Sequence, residues 1–133
     1  MIRAALLDLY NGMAENRGIP ALTRLIREAG ERHEGVELHR YDVRAKGDVP
    51  SLDYDLFISS GGPGSPYDGA QKQWEADYFR WLDRLWNYNQ RSGTDLPALF
   101  ICHSFQLFVR FFGVADVTER AAESFGVFPV YPT

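Results

Sequence analysis

Cys102 is the one side chain in this sequence whose type and position together suggest covalent chemistry. It is the only cysteine, it follows directly on the largely apolar run 97–101, and it precedes an apolar stretch at 105–112. A strand that turns straight into a helix pushes the side chain at the turn up from the sheet, and the helix N-terminus favours an anion there. A thiol so placed is drawn toward the thiolate, its nucleophilic form. The same position also suits an inert cysteine packed as a small apolar residue. About forty residues earlier, Gly61-Gly62-Pro63-Gly64-Ser65-Pro66 follows another short apolar run. Glycine and proline punctuate any loop. Glycines also let backbone N–H groups approach a ligand oxygen, as an oxyanion hole requires.

The elements that must position these two features are legible from periodicity. Residues 2–9 are nearly all apolar, which predicts a strand buried on both faces. Leu22, Leu25, Ile26 and Ala29 recur at helical spacing between Pro20 and Gly30. Residues 36–43 alternate as a half-exposed strand, and Leu56, Phe57 and Ile58 form a short buried strand that stops at Gly61-Gly62. Trp74, Tyr78, Trp81, Leu82 and Leu85 share one face of a long helix over 72–90. A further strand at 97–101 and a short helix at 105–112, buried on nearly every side and ended by Gly113, follow. The alternation of 125–131 predicts one more strand near the end. This order predicts a single domain over 1–133 of α/β class, a flavodoxin-like, doubly wound, mostly parallel sheet with helices on both faces. Such sheets bind ligands beyond the carboxyl ends of their strands, where the 61–66 loop and Cys102 both fall.

Composition narrows the partners. The chain has 133 residues, 45% of them apolar, enough for a real core. A net charge of −4 without basic clusters argues against nucleic acid and membrane surfaces. No apolar run approaches the roughly 18 residues of a membrane span. A lone thiol without a secretory signal predicts a cytoplasmic protein. His33, His39 and His103 are not spaced as metal ligands, so no metal or cofactor is expected. Trp74, Trp81 and Trp86 read as core or a covered interface.

Taken together, the loop and the cysteine turn resemble the class I (triad) glutamine amidotransferases of the GMP-synthase-like kind, and the resemblance runs over essentially the whole chain. It implies that Cys102 attacks the carboxamide of glutamine, forms a γ-glutamyl thioester and releases ammonia. Gly62 and His103 would offer backbone N–H groups to the oxyanion, while Gly61, Pro63 and Gln106 would help to hold the substrate. A synthetase-type partner would accept the ammonia. The turn reads Phe100-Ile101-Cys102-His103-Ser104-Phe105-Gln106, with Phe100 and Ser104 where the family has glycine, so looser strand-to-helix packing is expected. No His-x-Glu pair follows Cys102 in the remaining 31 residues. The expectation is therefore an N-terminal portion of the family fold, weakly active or inactive alone, whose uncovered sheet edge promotes self-association. His103, adjacent to Cys102, points elsewhere and is not expected to be its base. The Cys-His pair also resembles the deglycase and intracellular-protease branch of the same superfamily, where a carboxylate early in the chain, here Asp8 or Glu15, meets the cysteine. A non-catalytic binding domain is the third expectation.

Overall fold

The computed structural model describes residues 1–122 and 127–133. Four strands, β1 (Ile2–Asp8), β2 (Val36–Asp42), β3 (Leu56–Ser59) and β4 (Ala98–Phe100), form one sheet. They alternate with α1 (Gly18–Glu31), α2 (Val43–Lys46), α3 (Gln73–Arg91) and α4 (His103–Phe112). The spatial order is β2-β1-β3-β4, and every pairing is parallel. This is an α/β architecture consistent with a flavodoxin-like fold, in which the chain reverses direction across the sheet between β1 and β3.

Parallel pairing explains why the centre of β1, Ala4 to Leu7, is wholly apolar and buried. Its alternate residues enter two different cores. Ala5, Leu7 and Leu9 pack with Phe57, Tyr78, Trp81, Leu82, Leu85 and Leu107 under α2, α3 and α4. Ala4 and Leu6 pack with Ile19, Ile26 and Ile58 under α1. Among the described residues only α1 covers this second face of the sheet, and the β4 residue Leu99 on it remains 54% exposed. Trp81 is the centre of the larger core, and Trp86 lies 48% exposed near the end of α3. Among the described residues, no helix is long and apolar enough to cross a membrane.

Three local expectations are corrected. Strand β2 stops at Asp42, whose side chain accepts a hydrogen bond from Ala45 N–H at 3.0 Å and so starts α2 at Val43. Helix α4 begins at His103, and its Phe105 is 55% exposed, so one face of that helix is open. Of the strand expected over 125–131, the first two residues lie outside the described ones. Residues 127–131 form no strand, because no neighbouring strand pairs with them and Pro129 lacks an N–H to donate.

Candidate active site around Cys102

The sheet places Cys102 two residues beyond β4 and the 61–66 loop two residues beyond β3, at the same end of the sheet. Cys102 is exposed and has φ 50° and ψ −105°, a conformation outside the regions an L-residue adopts without strain. Such a backbone at a strand-to-helix turn is the geometry of a nucleophile elbow. Ser104, where the resemblance would expect glycine, does not loosen the turn. Ser104 is wholly buried, its hydroxyl shares a 2.7 Å hydrogen bond with Ser59 Oγ, and it donates to the Ser60 carbonyl. One proton per hydroxyl then orders the chain: Tyr78 donates to Ser59 at 2.7 Å, and Ser59 donates to Ser104. Burial pushes the Tyr78 phenol up to about 12, the Ser59 and Ser104 bonds opposing it, so it keeps the proton this chain needs. Phe100 fills space against Trp81 and Phe108.

The loops after β1 and β3 are stitched together beside the thiol. Leu9 N–H donates to Ser60 Oγ at 2.9 Å, and Ser60 Oγ donates to the Gly61 carbonyl at 2.8 Å. Arg44 of α2 donates to the Leu9 carbonyl at 3.2 Å and the Pro63 carbonyl at 2.8 Å, its guanidinium resting over Trp74. Gly62 has no alternative there, since a Cβ would overlap the Leu9 carbonyl oxygen. A Cβ on Gly61 would lie 3.6 Å from that of Cys102. The far end of the loop is held by Arg110 of α4, which donates to the Pro66 carbonyl and makes a two-point pair with Glu75 at 2.9 and 3.3 Å. Asp68 accepts from Ser65 N–H at 2.9 Å and closes the turn at Gly64, whose φ is +81°.

These contacts leave several backbone donors uncommitted, Gly62 and His103 among them. Neither Gly62 N–H nor His103 N–H donates a hydrogen bond among the described residues, whereas Ser104 and Gln106 N–H are satisfied by the Ile101 and Cys102 carbonyls at 3.1 and 3.0 Å. The His103 side chain is 2% exposed, and its Nδ1 has no partner among the described residues. Burial, followed by the cationic Arg44 and Arg110, drives its imidazole down to about 4 against the opposing Asp68 and Gly64, so the ring is neutral at pH 7. Those neighbours place it beneath the 61–66 loop, and no hydrogen bond joins it to Cys102 among the described residues.

Gln106 lies one helical turn beyond Cys102 and lines a cleft of about 510 Å³ with Gly64, Ser65, Pro66, Tyr67 and the segment 117–120. Tyr67 hydroxyl donates to the Val117 carbonyl at 2.8 Å and ties that segment to the loop. Gly61, Pro63 and Cys102 do not line this cleft. Asp8 accepts from Tyr10 N–H at 2.8 Å and faces Arg40 at 3.7 Å, while Glu15 is exposed, and neither bonds to Cys102. Sequence reasoning missed Arg44 and Arg110, which look like solvated charges until the fold brings carbonyls to them. Among the described residues, no group of three or more His, Cys, Asp or Glu side chains converges as metal ligands would. No family model matches the chain, and no curated protein does either.

Proposed function

We propose that this chain is a glutamine amidotransferase-like domain in which Cys102 is the nucleophile. The observation that carries the reading is the strained, exposed backbone of Cys102 beside a Gly61-Gly62 turn with uncommitted N–H groups. In this reading the thiolate attacks the carboxamide carbon of glutamine, and the carbonyl oxygen gathers negative charge facing Gly62 N–H and His103 N–H. The C–N bond then breaks, ammonia leaves with the thiol-derived proton, and the γ-glutamyl thioester remains for water to cleave. Gln106 and the cleft beside it hold the amino-acid end. Glycine is needed at 62 because the backbone passes against the Leu9 carbonyl, and Arg44 holds that approach fixed.

The described residues supply no general base to this thiol, since the buried imidazole of His103 lies under the loop. Activity of the chain alone is therefore expected to be slow. A synthetase-type ammonia acceptor belongs to the same proposal. So does self-association through the face of β3 and β4 that α1 leaves open at Leu99. No observation favours the deglycase or intracellular-protease reading, because Asp8 is engaged by Tyr10 N–H and Arg40 and Glu15 is exposed.

The test is substrate protection. Millimolar L-glutamine should slow modification of Cys102 by iodoacetamide several-fold, and D-glutamine should leave the rate unchanged. Equal rates with no additive, L-glutamine and D-glutamine would refute the assignment.

A further inference from the structure

The two edges of the sheet differ in how they are protected. At one end β2 carries Glu37, Arg40 and Asp42, and charges of this kind keep an edge from pairing with another chain. At the other end β4 is Ala98-Leu99-Phe100 and carries none. Its backbone groups sort by alternation. Phe57 N–H donates to the Pro97 carbonyl at 3.0 Å, and Ile101 N–H donates to the Ser59 carbonyl at 3.0 Å. Residues 97, 99 and 101 therefore turn their polar groups to β3, and Ala98 and Phe100 turn theirs outward, where no strand pairs with them among the described residues. Both sides of this edge are apolar. Leu99 stands half-exposed on the face shared with α1. On the other face Trp86, Phe100, Phe108 and Phe112 line a groove of about 400 Å³.

The chain also holds a segment suited to that edge. Val127, Phe128, Val130 and Tyr131 are all exposed, and residues 127–133 make no hydrogen bond among the described residues. The segment carries no charged side chain. Pro129 fixes how it can pair. A residue without an N–H must face away from the neighbouring strand, so Phe128 and Val130 are the ones that turn their N–H and C=O to a partner. Since its own β4 leaves the segment exposed, the acceptor is a second copy. Reciprocal exchange about a two-fold axis then covers both β4 edges with the same contact.

We propose that the outer edge of β4 is a strand-acceptor site for residues 127–131 of a second copy of this chain, with Phe128 and Val130 bonding to Ala98 and Phe100. The inference rests on the self-association proposed above and gives it a different seat, the edge of β4 in place of its open face. It does not depend on the chemistry at Cys102.

The experiment is sedimentation equilibrium of the wild-type chain, Val130→Pro and Tyr131→Pro. Both substitutions fall in a segment that is exposed in the single chain, so neither disturbs its core. The wild-type chain should dimerise. Val130→Pro removes one N–H donor from each exchanged strand, two hydrogen bonds per dimer, and should raise the dissociation constant about thirtyfold. Tyr131 shares the outward phase of Pro129, so Tyr131→Pro should dimerise like the wild type. Equal weakening by the two prolines would overturn the pairing, since apolar contact alone does not distinguish one N–H from the next. A Val130→Pro chain that dimerises like the wild type, alongside a monomeric Leu99→Lys chain, would return association to the open face and overturn the strand exchange. A wild-type chain that sediments as a monomer at every concentration would overturn both.

Discussion

Acidification is predicted to destabilise the protein through His103. In the folded chain burial holds this imidazole down to about 4, against about 6.5 in an unfolded chain. Between those values the unfolded chain binds the proton and the folded one does not, so stability is full above pH 6.5 and is lost as pH falls toward 4. The free-energy cost of this one group is about 1.4 kcal/mol at pH 5.5 and about 3 kcal/mol at pH 4. Other groups titrate in the same window, so the informative quantity is a difference. Urea unfolding of wild type and His103→Gln, at pH 7, 5.5 and 4, isolates the histidine because glutamine stays neutral throughout. Wild type should lose about 3 kcal/mol more than the variant between pH 7 and pH 4. Parallel losses would show that His103 titrates alike in both states, and would refute its placement among Arg44, Arg110 and the loop.

Two further substitutions probe how the loop is built. Gly62→Ala should destabilise by about 1–3 kcal/mol, because its methyl meets a backbone carbonyl that cannot swing aside. Gly61→Ala, whose methyl would find ordinary contact distances at 3.5 and 3.6 Å, should leave the urea midpoint nearly unchanged. Equal effects would contradict the geometry. Glu75→Gln leaves Arg110 mostly buried opposite a neutral amide and should cost about 2–3 kcal/mol in urea unfolding, with iodoacetamide reactivity at Cys102 largely kept. A midpoint unchanged by Glu75→Gln would show that the pair does not hold the loop.

Most of the architecture was legible in the sequence because two periods were strong. The nearly all-apolar run of β1 signals a strand buried on both faces, and the aromatic stripe of α3 signals one helix face. What failed did so for local reasons. Val43 is as apolar as a strand residue, and only the cap made by Asp42 assigns it to a helix. The pattern of 125–131 predicts a strand, but a pattern creates no partner, and the described residues 127–131 pair with no strand. Within the candidate site, Cys102 and the 61–66 loop stood out by residue type and spacing. Arg44 and Arg110 did not, since their roles depend on carbonyls that only the folded chain brings to them. Ser104 shows the opposite error. A missing glycine suggested a gap in packing, and the buried hydroxyl instead joins β3 to α4.

The most direct measurement of the central claim is intact mass after incubation with a diazo-ketone analogue of glutamine, with Cys102→Ser as control. The account predicts one adduct on the wild-type chain, located at Cys102, and none on the variant. No adduct on a wild-type chain that iodoacetamide still labels at Cys102 would contradict it.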